Sequence, residues 1–374
     1  MTFVPFDLER WQSTWENRVR VNLSESGVHP LTLTELLAIA GRDPEEVLHL
    51  PMGYSQSDGT DELRTRIAAM YPGASAHDVT VTVGSAEANF IACWSLIRPG
   101  DRVVVVAPTY FQTWGLARNF GASVTPLWLD PERDWEPDPD AVARAIVAGT
   151  RLVVVTNPNN PTGRVLSEAT RRAVVERARA TGAWLLLDEV YRGAELDGRT
   201  TPSWWGDHDR TLAVAGLSKA YGLPGLRVGW LVGPPEFKET LWSRHDYTVI
   251  CPSPISDYLA RLTLDHREQV LARTRGILNA NYPMLAEWLA SFDGLFTWRK
   301  PDAGAICFAR YHAPVSGLEL VDRIRREHDI LLVPGEHFQM EGYLRFGYGN
   351  PEGVLRGALE TLRPAMEGLS SLKA

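Results

Sequence analysis

The sequence predicts an α/β protein built on a mostly parallel sheet, and two observations support this fold class. Between about residues 60 and 230, short continuous apolar runs alternate with segments of helical composition. Such runs are typical of strands that are buried on both faces of a parallel sheet and connected by crossover helices. The second observation is that polar residues follow these runs, beyond the carboxyl ends of the predicted strands, where ligands of α/β sheets bind.

The elements follow in chain order. Helical spacing or composition predicts helices over 61–69, 86–96 and 167–180. Apolar or β-branched runs predict strands over 79–83, 103–106, 152–155 and 184–187. The last third of the chain differs, with long helices over 254–289, short strands rich in glycine and proline over 295–310 and 330–346, and a closing helix over 352–366.

A chain of 374 residues exceeds the size at which one hydrophobic core keeps growing, so two domains are expected. We expect a large domain over residues 41–260 and a smaller α+β domain over residues 261–374. Residues 1–40 are expected to form an N-terminal segment that joins the small domain.

Composition excludes several classes of protein. Hydrophobic residues make up 44% of the chain and charged residues 22%, which is ordinary for a globular protein. The net charge of −8, without a dense Lys/Arg tract, gives no support for a nucleic-acid partner. No run approaches 18 apolar residues, and the first 20 residues lack the apolar core of a signal peptide. We therefore expect a cytoplasmic protein with no membrane partner.

The three cysteines, Cys93, Cys251 and Cys307, are widely separated and form no CxxC pair. They are interpreted as small buried hydrophobic residues in a reducing compartment. No metal site is expected.

Lys219 is the first candidate catalytic residue. It follows the apolar stretch 212–217 and precedes a turn rich in glycine and proline, a context unlike that of a solvated surface lysine. Its amine can form an imine with an aldehyde and can then move a proton at a substrate carbon. Asp188 ends the apolar run 184–187 and can keep a pyridine nitrogen protonated, although a turn or cap role is the alternative. The pair suggests pyridoxal phosphate (PLP) as cofactor.

Further residues can hold the ring of this cofactor. Tyr191 and Asn160 can donate hydrogen bonds to a phenolate oxygen on the ring. Asn160 precedes Pro161, so an ordinary turn residue is the alternative. Tyr110 can stack on the ring face, and a core aromatic residue is the alternative there.

A phosphate site is predicted where Gly84, Ser85 and Ala86 stand between a strand and a helix, because backbone N–H groups at a helix start bind phosphate. Ser218 and Arg227 can add a hydroxyl and a positive charge, although Arg227 can also be read as an ordinary ion-pair arginine.

Arg345 lies in an apolar, strand-like run and can clamp a substrate carboxylate with two hydrogen bonds. A solvent-exposed arginine on an edge strand is the alternative interpretation.

The chain resembles the class I/II aminotransferases, a family of fold-type I PLP enzymes, from Asn22 to about Leu362. The resemblance is carried by the blocks 216–222 (GLSKAYG), 157–163 (NPNNPTG) and 188–191 (DEVY). It implies a large domain with a mostly parallel seven-stranded sheet between helices, and a smaller α+β domain. It also implies that Lys219 is the Schiff-base lysine and that Arg345 is the carboxylate clamp.

The same resemblance implies a homodimer. Tyr54, in the segment 54–59, matches a tyrosine that reaches the phosphate of the neighbouring subunit. One position departs from the family, because Gly216 stands where a Ser or Thr usually contacts the phosphate. From the sequence, the variant Gly216→Ser is expected to bind PLP at least as tightly as the parent chain.

A narrower resemblance, carried by residues 22–29 and 219–230, is to the capreomycidine-synthase-like branch of the family. The member that gives the branch its name acts on a hydroxyarginine by elimination and cyclisation, and related enzymes from antibiotic pathways oxidise arginine with oxygen. The resemblance implies that Gly27 and Val28 approach the substrate. His29 can contact a polar side chain or be a turn residue before Pro30. Three further residues can shape selectivity for the substrate side chain: Glu25, Gln112 and Trp114.

The leading functional hypothesis is an aminotransferase that moves an amino group between an L-amino acid and a 2-oxo acid through an imine on Lys219. The alternative is β-elimination, replacement or cyclisation of an arginine-derived amino acid in secondary metabolism, including antibiotic biosynthesis. A regulator of this fold would need a DNA-binding segment, and only about 20 residues precede the first family motif. A dinucleotide enzyme is disfavoured because no GxGxxG follows a strand.

Overall fold

The protein is described by a computed structural model that covers residues 3–371. Within these residues the helices are α1 (Asp7–Trp15), α2 (Leu33–Ala40), α3 (Glu45–Leu48), α4 (Asp61–Ala68), α5 (Gly84–Leu96), α6 (Gln112–Asn119), α7 (Pro139–Ala145), α8 (Glu168–Thr181), α9 (Lys238–His245), α10 (Pro254–Asp265), α11 (Arg267–Ala290), α12 (Gly317–His328) and α13 (Glu352–Ser370).

The strands over the same residues are β1 (Val21–Asn22), β2 (Val79–Thr82), β3 (Arg102–Ala107), β4 (Ser123–Asp130), β5 (Glu136–Pro137), β6 (Thr150–Thr156), β7 (Trp184–Asp188), β8 (Thr211–Gly216), β9 (Gly229–Val232), β10 (Phe296–Trp298), β11 (Ile306–Tyr311), β12 (Ile330–Leu331), β13 (Val333–Pro334) and β14 (Tyr343–Gly347).

The large sheet has the strand order β2-β9-β8-β7-β6-β3-β4-β5. Its five central strands, from β8 to β4, pair in parallel, whereas β2, β9 and β5 pair antiparallel. The predicted α/β fold with a mostly parallel sheet is therefore confirmed. Seven strands have four residues or more, and the two-residue strand β5 is an eighth that the expected count of seven did not include.

The central strands are buried on both faces, as their continuous apolar runs predict. In β3 every residue after Arg102 is buried, and in β7 only Trp184 is partly exposed. Two separate apolar clusters cover the sheet, one on each side. Because the side chains of both faces are withdrawn from water, these strands show no polar alternation.

The smaller sheet is antiparallel, with the order β10-β11-β14-β13. Strand β1, near the N-terminus, pairs in parallel with β12, so the beginning of the chain meets its last third. On this pairing we propose that the described part of the N-terminal segment, residues 3–40, belongs with the small domain.

No helix within residues 3–371 combines the length and the apolar character needed to cross a membrane. Nor does that part of the chain bring three His, Cys, Asp or Glu side chains together in a way that could hold a metal ion. The three cysteines are free, and burial raises the pKa of both Cys93 and Cys307 to about 12.

Candidate active site

A cavity of about 350 Å³ lies at the carboxyl ends of the parallel strands. Its wall contains ten of the predicted residues: Ser85, Ala86, Tyr110, Asn160, Asp188, Tyr191, Ser218, Lys219, Arg227 and Arg345. Nine of these residues follow or flank strands of the large sheet and meet because parallel strands place their carboxyl ends at one edge. Arg345 reaches the cavity from β14 of the small sheet.

Lys219 follows β8 and points into this cavity. Its Nζ atom donates a hydrogen bond of 2.7 Å to Oε1 of Glu25. Burial alone would raise the pKa of Glu25, but Lys219 and the backbone N–H groups of Ser26 and Gly27 lower it to about 2. Burial likewise opposes the charge on Lys219, and Glu25 reverses that effect and raises the pKa of the lysine. The two groups are therefore an ammonium and a carboxylate.

Asp188 ends β7 and is buried at the floor of the cavity. Its Oδ2 accepts a hydrogen bond of 3.0 Å from Asn89 Nδ2, and its Oδ1 accepts one of 3.3 Å from the backbone N–H of Val190. Burial raises the pKa of Asp188 against these hydrogen bonds. It forms no salt bridge within the described part of the chain, so this carboxylate suits a cationic ring nitrogen.

Arg345 lies on β14, an interior strand of the small sheet, and is 1% exposed. The interpretation as a solvent-exposed edge arginine is therefore wrong. Nη1 donates a 2.8 Å hydrogen bond to Asn160 Oδ1, and Nη2 donates to the carbonyl oxygen of Ser24. Nε is buried and has no partner in the described structure. Since an unpaired buried donor is costly, this guanidinium fits a ligand carboxylate.

Tyr191 is buried beside Asn160 in the cavity wall. Its hydroxyl donates a hydrogen bond of 2.9 Å to Ser26 Oγ, and burial raises the pKa of the phenol. The side-chain oxygen of Asn160 already accepts from Arg345, which leaves the Asn160 amide NH₂ as the donor available to a ligand.

The expected phosphate site is at the start of α5, and we call its residues Gly84, Ser85 and Ala86 the phosphate turn. Gly84 opens this helix with a φ of +79°, and the N–H groups of the first turn follow it. The Arg227 guanidinium packs over Gly84 so closely that a Cβ atom there would lie 2.5 Å from Nη2. The cavity wall next to this turn includes Ser85, Ser218 and Arg227. Helix N–H groups, hydroxyls and one guanidinium are donors suited to a phosphate group.

Gly216 faces the same turn, and the structure argues against the expectation for Gly216→Ser. A Cβ atom at residue 216 would lie 2.9 Å from the carbonyl oxygen of Val228 and 3.2 Å from Cα of Gly229. Both neighbours are backbone atoms of β9 or of the residue that precedes it, so they cannot rotate away. The missing side chain reflects the tight packing of Gly216 against the start of β9.

Tyr110 lines the cavity, but its hydroxyl is already engaged. It donates a hydrogen bond of 2.6 Å to Glu9 Oε1, and the ring packs edge-on against Phe6. Burial and the nearby carboxylate of Glu9 raise the pKa of this phenol well above its usual value. Tyr54, in contrast, is 90% exposed and lies outside the cavity wall.

The remaining candidates lie around the cavity. Gly27 lies against the Lys219 backbone, where an added Cβ atom would come within 3.5 Å of Lys219 Cα. Val28 is buried against Gly222, and His29 Nδ1 is 3.0 Å from the carbonyl oxygen of Gly349. Val28 therefore packs in the core and His29 holds a turn, and neither residue lines the cavity.

The two large residues considered for selectivity also lie behind the wall. Gln112 donates a 2.8 Å hydrogen bond to the carbonyl oxygen of Ala86, so it contacts the phosphate turn from outside. Trp114 packs on Phe111.

Sequence reasoning missed helix α1, which adds Glu9, Gln12 and Glu16 to the cavity wall. These polar residues are spaced i, i+3 and i+7, so they share one face of a helix. Leu8, Trp11 and Trp15 repeat the same spacing one position earlier, and Leu8 is buried in the core. This double pattern was the available signal for a helix between the core and the cavity.

The residues present fit pyridoxal phosphate. A buried carboxylate without a salt bridge suits the ring nitrogen, a helix start with an arginine suits the phosphate, and Lys219 suits the aldehyde. With the mostly parallel sheet, this site defines a PLP-dependent enzyme of fold type I.

Comparison with known proteins shows the family. The model of the class I and II aminotransferases matches residues 46–362, and the chain belongs to that family. Capreomycidine synthase of Streptomyces vinaceus is 33% identical over 360 residues, which cover 95% of this chain and 92% of that protein.

Two solved structures are similar over almost the whole chain. A PLP-dependent aminotransferase from Streptococcus suis 89-1591 superposes with a TM-score of 0.93 at 30% identity, covering 99% of both chains. The PLP-dependent cyclase OrfR superposes with a TM-score of 0.91 at 31% identity, covering 98% of both chains. The cofactor expected of this family is pyridoxal phosphate, as predicted.

Proposed function

We propose that the protein is an aminotransferase that moves an amino group between an L-amino acid and a 2-oxo acid. The observation that carries the proposal is the placement of Lys219 in one cavity with Asp188 and Arg345. The three side chains offer an amine, a carboxyl group that would hold the ring nitrogen of the cofactor, and a cation for the substrate carboxylate. Bound pyridoxal phosphate supplies an aldehyde that condenses with amines and a ring that accepts electrons from the substrate carbon.

The roles of the protein's own groups follow from the cavity. Arg345 binds the substrate carboxylate and thereby orients the substrate α-carbon toward Lys219. Lys219, once its amine is released, takes the proton from that carbon and returns it at another atom. Asp188 keeps the ring nitrogen protonated, and its burial strengthens that interaction. Tyr191 and the Asn160 amide donate hydrogen bonds near the ring oxygen.

A surplus of carboxylates favours a substrate with a cationic side chain. When a cofactor occupies Lys219, Glu25 loses its cationic partner, and Glu9 and Glu16 lie in the same wall. Burial and repulsion from Glu25 and Glu9 raise the pKa of Glu16. Since clustered carboxylates are stabilised by a cation, we propose that they bind the far end of the substrate side chain.

The second candidate function is elimination and cyclisation of an arginine-derived amino acid. Two observations favour it: the surplus of carboxylates, which suits a guanidinium group, and the similarity over the whole chain to capreomycidine synthase and to the cyclase OrfR. Up to removal of the α-proton, both candidate reactions use the same protein groups. They differ in which bond breaks next.

A single-turnover experiment separates the two. Cofactor-loaded protein is mixed under nitrogen with ornithine, lysine, arginine or 3-hydroxyarginine, without any 2-oxo acid, and the products are identified by mass. Transamination predicts one equivalent of 2-oxo acid per site. Elimination predicts turnover beyond one equivalent with release of water or ammonia. Lys219→Ala is the control, and the absence of either product from any amino acid would contradict both proposals.

We also propose that the protein forms a homodimer. Exposed large apolar residues lie on two segments that hydrogen-bond to each other, because Ser57 Oγ donates to the carbonyl oxygen of Ile250 and Ser55 Oγ donates to that of Pro252. The exposed residues on and around these segments are Leu48, Met52, Tyr54, Tyr247 and Ile250. A second copy covering this patch would bring Tyr54 toward the neighbouring site.

A further inference from the structure

A buried ion pair lies behind the phosphate turn, outside the cavity wall. His245, at the end of α9, is fully buried, and its Nδ1 atom is 3.0 Å from Oε1 of Glu87. Glu87 lies in the first turn of α5, directly after Gly84, Ser85 and Ala86.

The pair connects three separate segments of the chain. Oε2 of Glu87 accepts a 2.6 Å hydrogen bond from the backbone N–H of Val83, the residue before the phosphate turn. Oε1 also accepts from the Thr248 hydroxyl. On the other side of the ring, His245 Nε2 is 2.9 Å from the carbonyl oxygen of Ser57, three residues after Tyr54. The phosphate turn and the Tyr54 segment are thus connected through the two side chains of the pair, Glu87 and His245.

The partners of His245 determine its charge. A carboxylate and a backbone carbonyl have no proton to give, so each ring nitrogen must carry its own hydrogen. Only the imidazolium form satisfies both contacts. Burial opposes that charge, but Glu87 outweighs it and raises the pKa of His245. Burial also opposes the charge on Glu87, and the hydrogen bonds from His245, Thr248 and Val83 lower the pKa of this carboxyl.

We propose that His245 and Glu87 are positioning residues that hold the phosphate turn against the Tyr54 segment, and that retention of the cofactor phosphate depends on the imidazolium form of His245. The proposal rests on the proposed phosphate site at Gly84, Ser85 and Ala86. Gly216 has no hydroxyl to donate to the phosphate. Phosphate binding therefore depends more on the position of the backbone N–H groups of the turn.

The pH dependence follows from the charges that face the ring. Glu87 faces Nδ1, Asp246 is adjacent in the chain, and both favour the imidazolium. Near Ser57, the Asp58 carboxylate is paired with Arg64 and Lys238. Because the folded pKa of His245 is raised, its contribution is complete below its ordinary pKa of 6.5 and is lost as the pH rises through the folded value.

The first test reads the protonation of His245 directly and needs no cofactor. Nitrogen-15 NMR of histidine-labelled protein, with His245→Gln used to assign the signals, should show both ring nitrogens of His245 predominantly protonated at pH 6.5, where a histidine of ordinary pKa is half protonated. A neutral ring with a single N–H at that pH would overturn the proposal. The protonation state is read on the parent chain, and His245→Gln serves only to assign the signals.

The second test follows loss of the cofactor from loaded protein, with pyridoxal phosphate as the probe. Glu87→Gln should release it at least tenfold faster than the parent at pH 7. The matched control Glu45→Gln removes the same charge from an exposed pair with His49 and should leave the rate unchanged. In the parent chain, release should accelerate as the pH rises through the pKa of His245 found by NMR, and Glu87→Gln should abolish that dependence.

Equal release rates in Glu87→Gln and the parent, or a parent rate independent of the His245 titration, would overturn the proposal. Either result would leave the proposed function intact. Failure of the parent chain to bind pyridoxal phosphate at all would overturn the proposed function instead, since the NMR measurement would still report the state of His245.

Discussion

The contact between Lys219 and Glu25 sets the charge of the cavity before any ligand binds. The ammonium and the carboxylate are 2.7 Å apart, and 27% and 40% of their side-chain surfaces remain exposed. Glu25 thereby favours the charged form of the Lys219 amine. This amine must lose its proton before it can act as a nucleophile. A cofactor bound to Lys219 would leave Glu25 without its charged partner, and the proposed function assigns this carboxylate to the substrate side chain.

Glu25→Gln should lower the pKa of Lys219 in cofactor-free protein, because burial would still disfavour the ammonium while its counter-charge is gone. The pH dependence of Lys219 acylation, followed by peptide mass spectrometry, measures this pKa. Glu45→Gln, on the protein surface, is the control. An unchanged titration of Lys219 in Glu25→Gln would show that the ion pair does not determine its charge.

Gly216→Ser should destabilise the fold by about 1–3 kcal/mol, the usual cost of forcing extra atoms into a packed interior. The reason is the 2.9 Å approach of an added Cβ atom to the Val228 carbonyl oxygen. Chemical denaturation measures the loss, and equilibrium dialysis should show weaker binding of pyridoxal phosphate. Gly276→Ser is the control, since a Cβ atom there meets open space. Stability equal to that of the parent would instead restore the expectation from sequence.

Helix α1 shows how one element connects the core to the site. Its apolar face is fixed by Leu8 in the core and by Trp11, whose Nε1 donates a 2.9 Å hydrogen bond to the carbonyl oxygen of Leu332. Gln12 Nε2 donates to the carbonyl oxygen of Ser24 at 3.0 Å. These contacts hold the carboxylates of Glu9 and Glu16 in the cavity wall.

Glu16→Gln should raise KM for a cationic amino acid about tenfold, the scale expected when one charge-assisted hydrogen bond is lost. KM for an uncharged amino acid should not change, because Glu16 would face no positive group. Steady-state kinetics with arginine and with glutamine as paired substrates measures the difference. Equal effects on both substrates would assign Glu16 to general packing of α1.

At the scale of the element, apolar runs predicted four buried strands, β2, β3, β6 and β7. Strands β8 and β9 are buried at every residue and were not assigned from the sequence. Strand β4 was missed because its residues are mostly half-exposed and include Pro126, so no continuous run is visible. It lies next to the short edge strand β5, where one face of the sheet is less covered. Helix α5 begins at Gly84, two residues before the expected start, because its first turn is the proposed phosphate site.

Over the whole molecule, the exposed apolar patch around Met52 is the surface on which the dimer proposal depends. Met52→Glu should convert the dimer to a monomer, because a carboxylate would be buried without a partner when two copies meet. Sedimentation velocity measures the change. Leu318→Glu, an exposed position on α12, is the matched control. A parent chain that sediments as a monomer would contradict the proposal directly.

The fold class, the family and the cofactor could all be read from the chain, because they depend on short local patterns. Strand-end motifs such as 188–191 and the block around Lys219 are contiguous, and parallel strands bring their ends together automatically. The prediction that Asp188, Asn160 and Arg227 lie close together needed no knowledge of loop geometry. In the structure all three line one cavity.

Other features depend on contacts that no local pattern encodes. The side chains of Glu25 and Lys219 are 194 positions apart in the chain, and those of Glu87 and His245 are 158 apart. The close approach at Gly216 depends on how β9 and α5 pack against β8. Such contacts form only when distant segments are packed together, so the charge of Lys219, the acidic wall from α1 and the support behind the phosphate turn become visible only in three dimensions.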